Sequence, residues 1–134
     1  MKILPADIRA LYPFANNRDH YFSVGRHYLH FVDEGQGEAV VLLHGNPTWS
    51  FFYRDLIRAL SGEFRAIAPD HLGCGLSDKP QKASYNLKAH IEHVHQLLTH
   101  LKIKRFHLVV HDWGGAIGMG LALRRPEQVG KIVL

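Results

Sequence analysis

The stretch His107–Gly118, "HLVVHDWGGAIG", decides the fold. It starts as an apolar, β-branched run and reaches a pair of glycines with no loop between, after which Ala116 and Ile117 continue directly. A buried strand passing straight into a helix has this form, because glycine lets the first helical turn lie close against the strand it leaves. Such a turn holds one side chain proud of the sheet, beside the free backbone N–H groups of the new helix. Here that side chain is Asp112, flanked by His111 and Trp113. No serine stands at the position, which disfavours serine-type acyl transfer from this turn.

The neighbouring segments extend the pattern. "HYFSVGRHYLHFVDEG", residues 20–35, alternates and breaks at Gly25 and Gly35, predicting two strands joined by a tight turn. "EAVVLLHG", residues 38–45, is a continuous apolar run and predicts a strand covered on both faces. "SFFYRDLIRALSG", residues 50–62, predicts a helix with Phe52, Leu56 and Leu60 at helical spacing and Gly62 as its stop. "RAIAPD" is a short strand and "HLGCGLSDKP" a glycine-rich loop. In "NLKAHIEHVHQLLTHL", Leu87, Ile91, Val94, Leu98 and Leu101 share one helical face, with Asn86 placed to cap it. "FHLVVH" is a buried strand, "GGAIGMGLALRR" a helix stopped before Pro126, and "KIVL" the start of another strand. Strands alternating with helices after an opening hairpin imply an α/β domain with a mostly parallel sheet and helices on both faces.

Composition excludes several classes. At 134 residues, with 46% hydrophobic and 21% charged side chains, disordered and collagen-like chains are ruled out. The longest apolar runs fall far short of the roughly 20 residues needed to span a bilayer. The opening "MKILPADIRALYPF" is broken by Pro5, Asp7 and Arg9 and does not read as a leader. A single cysteine, Cys74, cannot form an internal disulfide and fits a reducing, cytoplasmic setting. The net charge of +4 comes from scattered residues, with short clusters at "KIKR" (102–105) and at Arg124 and Arg125, where helices end. Without a basic stripe interleaved with aromatics, no nucleic-acid partner is expected. Four of the eleven histidines, His90, His93, His95 and His100, fall in one helix beside its apolar face. They lack metal-ligand spacing with cysteines or carboxylates, so they read as a solvated flank and no metal is expected.

A carboxylate at the strand-to-helix turn does particular chemistry. It displaces a leaving group from saturated carbon and becomes an alkyl ester, which water then hydrolyses with the help of a histidine base. Simple N-capping of the helix is the competing reading of Asp112. The second piece is "LLHGNPTWSFFYR", residues 42–54, a strand end followed by a loop whose Asn46 N–H can point into the same crevice. His44 and His111 each precede the working residue of their motif and are expected to face away from that crevice.

"HGNPTWSFFYR" and "HDWGG", with "PDHLGCGLSDKP" between them, resemble the α/β-hydrolase superfamily and within it the haloalkane dehalogenase-like branch. The resemblance covers nearly the whole chain. It implies that Asp112 is the nucleophile. It implies too that Trp113 and Asn46 hold the departing halide with their side chains and supply the oxyanion hole with their backbone N–H groups. Asparagine at position 46 favours the dehalogenase side, since many epoxide hydrolases carry an aromatic residue there. His71 and Cys74 depart from common dehalogenases and look more like the β-lactone decarboxylases of olefin synthesis, although packing of the loop accounts for both residues. The resemblance implies a small apolar organic substrate and no cofactor. It also implies that residues 1–134 are the N-terminal portion of one α/β-hydrolase domain, truncated before the cap and last strands, with the catalytic acid and base histidine beyond Leu134. On that expectation the sheet edge beside "KIVL" is left open, favouring aggregation. A non-catalytic, hydrolase-like binding protein is the alternative of another class.

Overall fold

The structure, a computed structural model, describes residues 6–12 and 20–134. The polar breaks of the opening stretch therefore lie partly outside the described residues. Strands β1 (His20–Val24) and β2 (His27–Glu34) form the expected hairpin, turning through Gly25 at φ 64°. Beyond it come β3 (Ala39–Leu43), β4 (Arg65–Pro69), β5 (Phe106–Val110) and β6 (Val129–Val133). The six strands lie in the order β1-β2-β4-β3-β5-β6. The two contacts of β2 are antiparallel, whereas β4, β3, β5 and β6 run parallel. Parallel neighbours require crossovers, and the helices α2 (Arg54–Leu60), α3 (Leu87–His100) and α4 (Trp113–Arg124) supply them. A six-residue helix, α1 (Ala6–Leu11), precedes the sheet. It is too short to show periodicity in the sequence.

Strand β3 is central and wholly buried, as its unbroken apolar run requires. Its side chains alternate between two cores. Val41 and Leu43 meet Leu108, Val110, Val94, Leu98, Ile117 and Leu121 under α3 and α4. Val40 and Leu42 meet Tyr53, Ile57 and Tyr12 on the opposite face. Strand β5 is fully buried only at Phe106, Leu108 and Val110, because its other face is half covered. Strand β6 forms the exposed edge.

Helix α3 follows its sequence pattern closely. The Asn86 side chain accepts the Ala89 N–H at 2.9 Å, and the predicted apolar face packs under the sheet. Its buried arc is wider than the pattern, however, and takes in His90 and Leu97. The histidines are therefore not a uniform solvated flank. His90 is buried, His93 and His95 are half-buried, and His100 is exposed.

Two other expectations are corrected. The segment after Trp49 opens as a 3-10 turn, Ser50–Tyr53, before α2 begins. That shift rotates the helix, so Tyr53 and Ile57 are buried while Phe52 and Leu56 are exposed. The helix does end just before Gly62, with Ser61 as its cap in ordinary right-handed geometry. The basic residues at helix ends are not all solvated either. Arg125 donates to His95 Nδ1 at 2.9 Å, the His95 carbonyl at 3.0 Å and Gln128 at 2.9 Å, tying α4 to α3. Arg124 pairs with Glu92.

The core around α3 gives a direct check. Leu98 is completely buried and Leu123 is 84% exposed. Leu98→Ala is expected to lower stability by about 2–5 kcal/mol through lost burial and a residual cavity, and Leu123→Ala by less than about 0.5 kcal/mol. Urea denaturation of the two variants measures the difference.

Candidate active site

The turn from β5 into α4 takes two residues, His111 and Asp112. Asp112 adopts φ 54° and ψ −126°, a left-handed conformation that an aspartate enters only when its surroundings impose it. The His111 N–H still donates to the Leu43 carbonyl, at 3.2 Å, so the bonding of β5 to β3 continues one residue past the strand's end. Immediately afterwards Gly114 passes so close to β3 that a Cβ there would lie 2.1 Å from the Leu43 oxygen. Only glycine permits that approach.

The Asp112 carboxylate does not cap its helix. Its Oδ2 accepts the Asn46 N–H at 3.0 Å, across 66 residues of chain. Backbone hydrogen bonds from Asn46 and then Trp113 hold the carboxyl below its ordinary value, so the group is an exposed carboxylate anion across the neutral pH range. The fit is tight: a Cβ on Gly45 would stand 2.4 Å from Asp112 Cβ. The Asn46–Pro47 peptide is cis.

Asp112, Asn46 and Trp113 border one cleft of about 660 Å³, and His71, Cys74, Lys79, Tyr85 and His90 complete much of its wall. The loop carrying His71 and Cys74 therefore reaches the cleft. His44 is fully buried and His111 is exposed, stacked on Phe52 at 4.8 Å; neither borders the cleft.

Beneath the cleft lies a buried carboxylate that the sequence reading passed over. Asp70 is completely buried. Its Oδ1 accepts the Ser50 N–H at 2.7 Å, and its Oδ2 accepts the Leu76 N–H at 2.9 Å and faces His30 Nδ1 at 2.9 Å. Burial pushes this carboxyl up, but His30 and the two amides outweigh burial and hold it below its ordinary value. The charge pins the loop after β4 to the loop after β3. The only trace of it in the sequence is an aspartate following an apolar strand, a pattern shared with many turns.

His71 and His90 of the cleft wall form a stack with the buried His44. His44 and His71 rings are 4.2 Å apart, and His90 meets His71 edge-on at 5.5 Å. Burial first, aided for His71 by repulsion from His44 and His90 and for His90 by repulsion from His93 and His44, lowers all three below the ordinary imidazole value, and His71 well below it. Among the described residues no group of three or more histidine, cysteine and acidic side chains is arranged to hold a metal ion. No described helix is long and apolar enough to cross a membrane.

Residues 38–134 match the family described as the alpha/beta hydrolase fold, and the chain belongs to it. Within that family it is haloalkane dehalogenase-like, with decarboxylases and epoxide hydrolases also among its relatives. It is 50% identical over 127 residues to a cis-3-alkyl-4-alkyloxetan-2-one decarboxylase of Shewanella oneidensis, covering 92% of this chain and 39% of that protein. It is 44% identical over 124 residues to haloalkane dehalogenase 2 of Mycobacterium tuberculosis, covering 92% of this chain and 42% of that one. Among solved structures, an epoxide hydrolase from Vigna radiata superposes with a TM-score of 0.80 at 32% identity, over 86% of this chain and 36% of that one. The chain thus spans about two fifths of the length of these curated relatives.

The neutral stack predicts an acid-sensitive fold. An imidazole whose native pKa lies below its ordinary 6.5 contributes its full stability above that value and loses it as the pH falls below 6.5 toward the native value. Urea midpoints are expected to fall between about pH 7 and about pH 5, with a shallower fall in His71→Gln. An equal slope in the variant contradicts a contribution from His71.

Proposed function

We propose that this chain carries the nucleophilic half of an Asp-dependent hydrolase of the haloalkane dehalogenase type. The supporting observation is the Asp112 carboxylate itself: exposed to the cleft, held by the Asn46 N–H at 3.0 Å and fixed in a conformation that helix capping does not require. In the proposed reaction an Asp112 oxygen attacks a saturated carbon bearing halogen. The carbon–oxygen bond forms as the carbon–halogen bond breaks, and the electron pair leaves with halide. The Trp113 indole N–H and the Asn46 carboxamide hold that anion as neutral donors, without pairing with Asp112. Water then attacks the Asp112 carbonyl carbon, releasing the alcohol and restoring the carboxylate. During that attack the backbone N–H groups of Asn46 and Trp113 steady the oxyanion. The general base, the catalytic acid and the cap belong, in this reading, to a longer protein of which residues 1–134 are the N-terminal part. The substrate is a small apolar organic molecule, and no cofactor is required.

A second reading has its own support. His71 and Cys74 border the cleft, and the decarboxylase of Shewanella oneidensis is 50% identical to this chain. On that reading the same Asp112 acts on an oxetan-2-one and not on a haloalkane.

Mass spectrometry separates the two. Incubation with a reactive 1-iodoalkane is expected to add one alkyl group to Asp112, and the ester is expected to persist because its hydrolysis needs the base. Asp112→Ala abolishes the adduct, and Asn46→Ala slows its formation by about 10²-fold, the scale of one anion-holding donor. Adduct formation with an alkyl-substituted oxetan-2-one alone favours the second reading. Alkylation of Cys74 with Asp112 untouched sinks both.

A further inference from the structure

Asn46 and Asp112 meet because something holds the Gly45–Asn46 turn in place, and the bonds that do so converge on His44. Its Nδ1 bonds to the Gly45 carbonyl at 2.7 Å, its Nε2 to the His71 N–H at 3.0 Å, and its own carbonyl to His71 Nε2 at 3.0 Å. Each contact fixes a proton. A carbonyl only accepts, so His44 Nδ1 and His71 Nε2 are the protonated nitrogens, and His44 Nε2 must offer its lone pair to an amide. The pair is thus a closed clamp between the loops that follow β3 and β4.

We propose that His71 is a positioning residue: its two hydrogen bonds to His44 fix the Gly45–Asn46 turn, and through it the amide that orients the Asp112 carboxylate. His71 is itself firmly seated. Asp70 precedes it with the carboxylate bonds already described, the Cys74 N–H donates to its carbonyl at 2.8 Å, and His90 of α3 packs on its ring. On the other side of the clamp there is no slack, because Gly45 already touches Asp112 so closely that no Cβ fits between them. A small displacement of the turn is therefore passed directly to the carboxylate. The importance of this for catalysis rests on Asp112 being the reacting group, whereas the positioning itself does not.

Three substitutions at position 71 distinguish hydrogen bonding from space filling. In His71→Gln an amide N–H replaces the ε donor, in His71→Leu the volume is kept and the donor lost, and in His71→Asn a polar group falls one bond short. Carboxyl-carbon NMR of 13C-labelled protein reads the Asp112 titration without any substrate, and amide exchange reads Asn46. The Gln variant is expected to keep Asp112 titrating below its ordinary 3.8 and to keep the Asn46 amide protected. The Leu and Asn variants are expected to raise the Asp112 titration toward 3.8 and to speed Asn46 exchange by about tenfold, the scale of one net hydrogen bond. Wild-type behaviour in a folded Leu or Asn variant overturns the proposal. So does a Gln variant that shifts the titration or fails to fold, because it retains the donor; if Leu fails to fold, the Asn variant decides. Alkylation of Asp112 by 1-iodoalkane, run on the same samples, reports separately on the nucleophile: its absence from wild type removes the proposed reaction and leaves the His71 result standing.

Discussion

The structure depends on one backbone constraint: β5 must become α4 within two residues, His111 and Asp112, directly over the end of β3. The left-handed conformation of Asp112 carries a cost on the order of 1–3 kcal/mol, which persists only because the surroundings over-determine it. On one side the register of β5 against β3 fixes where the strand ends. On the other, α4 is packed through Ile117 and Leu121 into the core shared with α3. Gly114 closes the gap between them, at a contact with Leu43 where no side chain fits. With both ends held, the residue between cannot relax into a cap, and its carboxylate is turned outward.

Everything else in the cleft follows from which strand ends lie beside that turn. β3 sits between β4 and β5, so the loops leaving all three C-terminal ends converge, as they do at the ligand crevices of open parallel sheets. Their polar groups are buried and must therefore be paired. Asp70 answers this need with a charge satisfied by two amides and His30. His44 and His71 answer it with neutral rings whose tautomers the carbonyls dictate. Both solutions join the loop after β4 to the loop after β3, and the Asn46 amide joins the latter to Asp112. The cleft is a chain of mutually specified loops resting on the ends of the parallel strands.

Legibility in the sequence follows the range of the interactions involved. Helix α3 is readable because its apolar residues recur locally and Asn86 caps it within three residues. The helix after Trp49 is readable as a helix but not in its orientation, because the 3-10 turn that rotates it moves Tyr53 and Ile57 inward in place of Phe52 and Leu56. The basic pair at the end of α4 looks like two solvated cations, yet Arg125 is spent on α3 contacts that lie 30 residues away. His90 sits on the same helix as the exposed His100, and only the position of the loop bearing His71 makes one a wall and the other a surface group.

The amino-acid sequence by itself determined the order of strands and helices, the parallel α/β architecture and the turn that presents Asp112. Each of these is written in local periodicity, in glycine placement and in the contrast of apolar with polar residues. The tertiary structure decided how that aspartate is held. The amide that orients it comes from 66 residues away, and the clamp behind that amide joins two histidines 27 residues apart. No local pattern encodes such pairs. Their energies come from desolvation and hydrogen-bond direction, which exist only once the sheet has brought the strand ends together.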